Sequence, residues 1–457
     1  MDNHQLWGGR FEKPLDASAF QLGQSISLDI RLLPYDIQQS TAYVNALGKA
    51  NLVPSELHQR ITKTLVEIAA EFQNGILKFA ATDEDVHGFL ERLLVERVGN
   101  EASLIRIGRS RNDQVVTDLK LLLIAESGKL QLQIRELIEA IASRSEELVE
   151  VFSTSYTHTQ RAQPILVSHE LLKHGFALSR NLTRLDDWHK RHNSLPLGSG
   201  AGTGSSVLIN FEDIAQELGF QDLSFNSLDA TSSRDFVTEF LFICSQVALE
   251  ISRFAEEIIL WSTKEFGFVS LPDEFSTGSS LMPQKRNPDF AELARGKSSR
   301  VVGNLVNVLT LIKALPFGYN RDLQEDKFPV FDSIDTLHLV LPAFRGLIRT
   351  IQFNRDKLEK SVTEGHILAT DIAEWLVTKG IAYREAHEIV GRLVVLAESL
   401  DLDVANLSVE QLNSVNAIFP GDFQSVLNIE KSIESRQSPG SANKSNVLRQ
   451  ISKLRSL

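Results

Sequence analysis

Residues 277–288 read Thr-Gly-Ser-Ser-Leu-Met-Pro-Gln-Lys-Arg-Asn-Pro and stand directly before an apolar-periodic run, Phe290, Leu293 and Ala294. This pattern predicts a flexible loop that leads into a helix. A helix start presents unpaired backbone N–H groups and the positive end of the helix dipole. With Lys285 nearby, the loop is suited to hold a carboxylate or an enolate-like anion. Helix capping would explain one Ser or Asn, but it does not explain the whole string.

Long amphipathic runs surround this loop and predict a mainly helical protein. The first run extends from Val116 to Ile141, with apolar residues at spacings of three, four and seven. Four further runs follow it: after Pro164, over 236–258, over 301–312 and after Pro329. Five such runs predict an elongated helical bundle. Several apolar seams are too wide for one bundle to bury alone, so we expect the protein to oligomerise through this region.

The pattern of long and short runs predicts three domains. Residues 1–110 and 361–457 carry short helical patterns joined by loops, whereas residues 111–360 carry the long helices. A chain of 457 residues also exceeds what one simple hydrophobic core holds.

Composition narrows the class of protein. The formal net charge of -12 argues against nucleic acid and anionic membrane surfaces as partners. The one cysteine, Cys244, lies in an apolar series and cannot form a disulfide within the chain, which suits a reducing compartment. The first seven residues lack the basic and apolar segments of a signal peptide, and no apolar run is long enough to span a bilayer. We therefore expect a cytoplasmic protein.

Two polar stretches in the first third of the chain are candidates for ligand binding. Gly108-Arg-Ser-Arg-Asn-Asp-Gln114 opens the first long helix, where Arg109 and Arg111 oppose the helix dipole and so point to an anion. Farther upstream, an acidic stretch reads as a helix start with Thr82 as its N-cap. His87 stands one turn inside that predicted helix.

Two more polar clusters follow later in the chain. Tyr156-Thr-His-Thr-Gln-Arg-Ala-Gln-Pro164 precedes the second long helix and surrounds His158 with hydrogen-bond donors, as ligand-facing loops do. Residues 315–327 combine an aromatic, an amide and several charged side chains, and otherwise read as a solvated linker.

A glycine-rich segment, Pro196-Leu-Gly-Ser-Gly-Ala-Gly-Thr-Gly-Ser-Ser206, resembles a phosphate-binding loop only superficially. It has no Lys where a P-loop requires one, and no predicted strand leads into the glycines. We expect a flexible loop or a tight turn here.

Taken together, the motifs resemble the argininosuccinate lyase family of the fumarase/aspartase superfamily from end to end. The signature loop alone would also fit adenylosuccinate lyase, fumarase and aspartase. Gln284, the Arg-Ser-Arg-Asn-Asp-Gln block and the N-terminal Trp-Gly-Gly-Arg narrow the choice. The matching stretches are, in order, Leu6-Trp-Gly-Gly-Arg-Phe11, Gly108 to Gln114, Tyr156-Thr-His-x-Gln-Arg-Ala-Gln-Pro164, Gly278-Ser-Ser-Leu-Met-Pro-Gln-Lys-Arg-Asn-Pro-Asp289 and Leu323-Gln-Glu-Asp-Lys327.

The resemblance implies a mainly α, three-domain fumarase/aspartase-like fold. Its central long-helix bundle would form a multi-helix core in a homotetramer, with each active site assembled from three subunits. The implied reaction belongs to arginine biosynthesis: an elimination, with neither a cofactor nor a metal, that splits argininosuccinate into L-arginine and fumarate.

The resemblance also implies roles for individual residues. Ser279 would be the general base, with its hydroxyl made more acidic by Lys285 and backbone N–H groups. His158 would be the general acid, with Glu292 as its orienting partner. The substrate's carboxylates and guanidinium would be held by Ser25, His87, Arg111, Asn112, Thr157, Asn287, Tyr319, Gln324 and Lys327.

Two alternatives to this function remain. The loop Gly200-Ala-Gly-Thr-Gly-Ser205 replaces the family's usual Gly-Ala-Leu-Ala-Gly-[Thr/Ser], which exchanges an apolar side chain for glycine and leaves the substrate open. One alternative is therefore a related carbon–nitrogen lyase that acts on another N-succinyl compound. The other is a crystallin-like structural homologue, although the presence of Ser279, His158, Lys285 and Glu292 argues against lost activity.

Overall fold

A computed structural model describes residues 15–457 of the chain. The stretch from Leu6 to Phe11, which contributes to the family resemblance, lies outside the described residues. Helices dominate the described part, as predicted. They are α1 (Ala17–Gly23), α2 (Ile26–Asp29), α3 (Leu33–Lys49), α4 (Ser55–Gln73), α5 (Val86–Val98), α6 (Arg111–Glu147), α7 (Val167–His192), α8 (Phe211–Leu218), α9 (Ser227–Ser232), α10 (Asp235–Ser262), α11 (Asp289–Ile312), α12 (Lys327–Thr350), α13 (Arg355–Ser361), α14 (Ala369–Thr378), α15 (Tyr383–Ser399), α16 (Val409–Val415), α17 (Ile429–Glu434) and α18 (Lys444–Arg455).

The five long apolar runs correspond to α6, α7, α10, α11 and α12. Their periodicity predicted them well because each helix buries a continuous apolar stripe. Helix α11 begins at Asp289, directly after the stretch of residues 277–288, as predicted. None of the helices in residues 15–457 combines the length and apolar character that crossing a membrane requires.

The N-cap of α5 differs from the prediction. The Asp85 carboxylate, and not Thr82, caps the helix by accepting a hydrogen bond from the Gly88 N–H at 2.7 Å. The helix therefore starts at Val86, and His87 is its second residue. His87 therefore lies at the N-terminus of α5, whereas the sequence predicted a position one turn inside the helix.

The strands are short and form two-stranded pairs. They are β1 (Phe152–Thr157), β2 (Gln160–Leu166), β3 (Ser194–Leu195), β4 (Asp222–Leu223), β5 (Val269–Ser270), β6 (Thr277–Gly278), β7 (Arg286–Asn287) and β8 (Gln352–Phe353). The pairs β1–β2, β5–β8 and β6–β7 are antiparallel, whereas β3–β4 is parallel. Two of these pairs carry candidate catalytic residues, because β1–β2 encloses His158 and β6–β7 encloses Ser279.

The chain forms two compact units. Unit 1 comprises residues up to 129 together with 184–244 and 301–335, and unit 2 comprises 130–183, 245–300 and 336–457. Each of the five long helices contributes residues to both units. These two units are each made of several separate stretches of sequence, whereas the three predicted domains are consecutive stretches. The three-domain division stays a prediction.

Each unit has its own buried aromatic centre. In unit 1, Trp188 is 1% exposed, packs against Phe240, and donates its indole N–H to the Phe236 carbonyl oxygen at 2.8 Å. Unit 2 includes the C-terminal short helices, whose buried side chains between 372 and 423 form one apolar cluster. There Trp375 stacks on Phe419 with the ring centres 5.9 Å apart.

Candidate active site

Two predicted binding residues, Ser25 and His87, lie buried in unit 1 against acidic side chains. The Ser25 hydroxyl donates to Asp29 Oδ2 at 2.6 Å. His87 Nδ1 lies 2.9 Å from Asp36 Oδ2 and 3.7 Å from Asp118 Oδ2. Asp36 and Asp118 come from α3 and α6, so three helices meet at the His87 ring.

The carboxylates around His87 determine its charge. Burial alone would lower the pKa of His87, but Asp36, by its charge and its hydrogen bond, raises the pKa above the ordinary value, with help from Asp85 and Asp29. Burial and the neighbouring Asp36 raise the pKa of Asp118 well above its usual range. The arrangement therefore favours a charged imidazolium beside a neutral Asp118.

Asp36, His87 and Asp118 also form the kind of donor set that a metal ion accepts, with their ligand atoms within 4.8 Å of one another. The hydrogen bond between His87 Nδ1 and Asp36 accounts for this arrangement without a cation. His87 and Arg111 line a cavity of about 20 Å³, which is enough for one water molecule.

Arg111 and Asn112 begin α6. The helix start is capped reciprocally: Ser110 N donates to Asp113 Oδ1 at 3.0 Å, and the Ser110 hydroxyl accepts from Asn112 N at 3.3 Å. Arg111 Nη1 pairs with Asp85 Oδ2 at 2.8 Å. The Arg109 guanidinium lies 4.8 Å from the Tyr43 ring centre and within electrostatic range of the Asp36 carboxylate.

The glycine-rich segment forms tight turns held by hydrogen bonds, so of the two predicted alternatives the tight turn is confirmed and the flexible loop is not. Asp113 Oδ2 accepts hydrogen bonds from Gly198 N at 3.1 Å and Gly200 N at 2.8 Å. Asn112 Nδ2 reaches the Ala201 carbonyl oxygen at 3.5 Å. At Gly202, φ is +133° and a Cβ atom would lie 3.0 Å from Leu228, so glycine fits this position.

A two-residue strand, β3, precedes this segment although none was predicted. It pairs in parallel with β4, which is also only two residues long. A strand of this length does not make a nucleotide-binding βαβ unit, so the argument against a phosphate loop still holds.

The predicted residues near 319–327 approach the same part of unit 1. Gln324 Nε2 lies 3.4 Å from the Gly23 carbonyl oxygen, two residues before Ser25. Lys327 Nζ donates to Asp326 Oδ1 at 2.8 Å and lies within electrostatic range of Asp29. Burial raises the pKa of Tyr319 above its ordinary value. Unit 1 thus brings together Ser25, His87, Arg111, Asn112, Tyr319, Gln324 and Lys327.

Some contact residues of this group were not predicted from the sequence. Asp36 and Asp118 are buried inside amphipathic runs that gave no sign of chemistry. Arg234 contacts Asp326, and it did leave a signal because it directly precedes the first residue of α10. An arginine there opposes the helix dipole, which is the argument that singled out Arg111.

The signature loop belongs to unit 2 and forms a small hairpin. Thr277 pairs with Asn287 and Gly278 with Arg286, so both ends of the loop are held together. The Ser279 hydroxyl oxygen lies in the tip and accepts from Leu281 N at 3.3 Å and from Met282 N at 3.0 Å. Backbone donors of this kind stabilise negative charge on the oxygen they face.

The other predicted residues of the loop region are exposed or half-buried in the single chain. Lys285 is exposed at the loop tip, and Asn287 Nδ2 lies 3.5 Å from the Gly278 carbonyl oxygen. Glu292 is exposed in the first turn of α11. Thr277 Oγ1 hydrogen-bonds to Asp289 and ties the loop to the helix start.

His158 lies at the tip of the β1–β2 hairpin, where we had predicted a polar loop. It is exposed, as are Thr157 and Thr159 on either side. His158 and Thr159 both have positive φ, at 53° and 59°. Only a few per cent of non-glycine residues adopt such backbone conformations, and they cluster where function demands them. Within residues 15–457, the His158 ring forms no hydrogen bond with Glu292.

Family models match two parts of the chain. One is described as Lyase and covers residues 9–303, and the other is described as Argininosuccinate lyase C-terminal and covers residues 366–434. The argininosuccinate lyase of Caldanaerobacter subterraneus subsp. tengcongensis is 46% identical over 437 residues, which cover 96% of this chain and 99% of that protein. The argininosuccinate lyase of Leifsonia xyli subsp. xyli is 44% identical over 454 residues, covering 99% and 96%. The chain belongs to the argininosuccinate lyase family.

The chain is also similar to solved structures. An EDDS lyase in complex with formate has a TM-score of 0.85 and 27% identity, and the match covers 96% of this chain and 88% of that chain. A class II fumarase from Schistosoma mansoni has a TM-score of 0.76 and 17% identity, with coverage of 87% and 90%, a likeness that concerns the fold alone. The predicted fumarase/aspartase-like helical fold is thus confirmed, and the chain is a carbon–nitrogen lyase.

Proposed function

We propose that this protein splits argininosuccinate into L-arginine and fumarate, without a cofactor, as a step of arginine biosynthesis. The observation that carries this proposal is the 44–46% identity to argininosuccinate lyases over nearly the whole length of the chain. The geometry of the signature loop supports the proposed chemistry.

The first step removes a proton from the carbon next to a substrate carboxylate. Ser279 is the proposed base, and the electrons left behind form a dianionic aci-carboxylate. Two backbone N–H groups already face the Ser279 oxygen, so they support the alkoxide that takes the proton. Lys285 on the same loop tip adds positive charge close to the developing anion.

The second step breaks the carbon–nitrogen bond, and the departing nitrogen takes a proton. His158 is the proposed proton donor, because it carries an exposed imidazole on a constrained turn, where a ligand can reach it. Glu292 is its proposed orienting partner. Since the two side chains do not meet within one chain, we propose that Glu292 of one subunit faces His158 of another.

Nine residues are proposed to bind the substrate. Ser25, His87, Arg111, Asn112, Tyr319, Gln324 and Lys327 would bind from unit 1, and Thr157 and Asn287 from unit 2. We infer that cationic groups such as the His87 imidazolium and Lys327 pair with substrate carboxylates. Such groups are needed locally, because the net charge of -12 repels an anionic substrate from the protein as a whole.

We further propose a homotetramer with active sites shared between subunits. Large apolar side chains on the long helices support this assembly, because they are exposed in the single chain. On α11, Leu293 is 56%, Val306 53% and Leu309 47% exposed, and on α10 Leu249 is 44% exposed. Large apolar side chains that recur exposed along long helices are typical of protein–protein contacts.

We also propose that the chain has three domains and that the protein is located in the cytoplasm. The separate apolar cluster between residues 372 and 423 supports a small C-terminal domain over 361–457, beside domains at 1–110 and 111–360. Cys244, the one cysteine, is buried and free, which suits a reducing compartment.

Release of fumarate, followed by its ultraviolet absorbance, tests the proposed reaction. The purified protein is given argininosuccinate, with adenylosuccinate, aspartate, malate and EDDS as parallel substrates. We expect fumarate from argininosuccinate alone. Fumarate from EDDS or another N-succinyl compound in its place would identify a related carbon–nitrogen lyase, and fumarate from none would favour a structural role.

A further inference from the structure

Arg234 and Lys327 share the carboxylate of Asp326 in the interior of unit 1. Arg234 Nε donates to Asp326 Oδ2 at 2.5 Å, and Lys327 Nζ donates to Asp326 Oδ1 at 2.8 Å. Each of the three residues is at most 2% exposed. Two cations therefore meet one carboxylate away from water.

The two cations carry more N–H groups than their surroundings have acceptors. Arg234 Nη1 donates to the carbonyl oxygens of Ser233 at 2.8 Å and Thr231 at 3.5 Å, and Lys327 Nζ also donates to that of Leu323 at 3.3 Å. Arg234 Nη2 is buried and has no hydrogen-bond partner within residues 15–457. Because an ammonium carries three N–H groups, Lys327 also keeps one without an acceptor in that part of the chain.

Stability alone is a weak reason for such an arrangement. Burial alone would raise the pKa of Asp326, but Lys327 and Arg234 lower it below the ordinary value, so the carboxylate stays charged. Buried ion pairs lose their hydration, and replacing them with apolar residues is often neutral or stabilising. A buried donor without an acceptor adds to that cost.

The surroundings of the triad belong to the proposed substrate site. Lys327 and Tyr319 are proposed binding residues, and the charges of Arg234 and Asp326 both act on Tyr319. Asp29, which binds the Ser25 hydroxyl, lies within electrostatic range of Lys327. The unpartnered donors thus lie where an anionic ligand group is expected.

We propose that Arg234 is a positioning residue for substrate binding. Through Asp326 it holds Lys327 in place, so that an anionic group of the substrate meets a cation whose position is already fixed. Arginine fits this role because its planar fork bonds the Asp326 carboxylate through Nε and backbone carbonyls through Nη1 at the same time. The inference rests on the proposed cleavage of argininosuccinate.

The test compares Arg234→Gln and Arg234→Lys with the wild type in the fumarate-release assay. We expect Arg234→Gln to raise KM for argininosuccinate at least tenfold, about 1.4 kcal/mol of binding, with a smaller change in kcat. Arg234→Lys keeps the charge without the fork, so we expect a smaller rise in KM, on the order of threefold. Calorimetry with argininosuccinate on the Ser279→Ala background measures binding without turnover.

Asn304→Ala is the matched control, because Asn304 also makes buried hydrogen bonds in unit 1, to Asp332 at 2.8 Å and Ser333 at 3.0 Å. We expect it to lower Tm and leave KM within twofold. An Arg234→Gln protein with a lowered Tm and an unchanged KM would overturn the positioning role while leaving the proposed function intact. A wild type that neither cleaves nor binds argininosuccinate would overturn both.

Discussion

Asp113 Oδ2 accepts a hydrogen bond from Gly200 N at 2.8 Å, across 87 residues of sequence. The same oxygen accepts from Gly198 N, while Oδ1 accepts from Ser110 N at the start of α6. One carboxylate therefore joins the glycine-rich segment to the helix start that carries Arg111 and Asn112. Two motifs that are far apart in sequence act as one structural feature.

We predict that Asp113→Asn destabilises the protein and lowers kcat/KM. The variant offers one oxygen where the carboxylate offers two, so backbone N–H groups lose an acceptor at a cost of about 1–3 kcal/mol. Chemical denaturation measures the free energy of unfolding, and hydrogen exchange at residues 198–204 reports on the loop. Asp213→Asn is the control, because Asp213 pairs with the exposed Lys49. Unchanged exchange in that segment would contradict the anchoring role.

The base assignment predicts that Ser279→Ala retains substrate binding and loses turnover. Removal of a positioned acid–base group lowers kcat by about a hundredfold to ten-thousandfold. Ser280→Ala is the matched control, since it removes a neighbouring exposed hydroxyl from the same loop tip. Stopped-flow and steady-state fumarate release measure both variants. If Ser280→Ala loses turnover and Ser279→Ala keeps it, the base lies elsewhere.

Because His158 lies at a hairpin tip with positive φ, we predict that replacing it lowers activity without lowering stability. His158→Asn should lower kcat by a factor of about a hundred or more, because the proposed proton donor is gone. Its Tm should stay level or rise, since asparagine tolerates positive φ better than most residues. Thermal melting and kinetics on the same preparation decide the matter. A variant that loses both Tm and activity would point to a structural role.

The proposed sharing of active sites between subunits predicts that two inactive variants restore each other's activity. Mixed subunits of Ser279→Ala and His158→Asn, refolded together, should regain part of the wild-type turnover because some sites receive both intact residues. Sedimentation should give a tetramer for the wild type and for both variants. Either variant refolded alone is the control. Full wild-type activity in a monomer would contradict the shared site.

The buried Asp118 predicts a pH dependence of stability. Burial and the neighbouring Asp36 raise the pKa of Asp118 in the folded protein. Asp118 therefore contributes fully to the free energy of unfolding below its ordinary pKa, which is near 3.8. That contribution is lost as pH rises through the folded value. Asp118→Asn cannot titrate, so its stability should improve relative to the wild type as pH increases. Thermal melts from about pH 4 to pH 9 measure this, with the exposed Asp335→Asn as control. If the Tm of the wild type and the Tm of Asp118→Asn changed with pH in the same way, this prediction would be contradicted.

Local patterns predicted the long helices, because helical periodicity is a property of the sequence itself. The 236–258 run lies within α10, and the step from loop to helix after Pro288 falls where the sequence placed it. The β1–β2 hairpin was not predicted, since His158 and Thr159 take the place of the Asn-Gly pair that usually signals such a turn.

Contacts between distant residues could not be predicted from local patterns. Asp113 meets Gly200 across 87 residues, and Arg234 meets Asp326 across 92. Asp36 and Asp118 lie in amphipathic runs, and nothing in the sequence pattern indicates that they are buried beside His87. The sequence motifs predicted the proposed site residues. The buried charged residues that pair with several of these site residues could be identified only from the fold.

The positive φ angles at His158 and Thr159 set opposing evolutionary demands on this turn. Folding alone would favour glycine or asparagine at both positions, while the proposed proton transfer requires an imidazole at the first. A descendant recruited for a purely structural purpose would be released from the second demand. It would gain stability by drifting toward Asn-Gly at the hairpin tip, so the residues at 158 and 159 record whether selection still acts on catalysis.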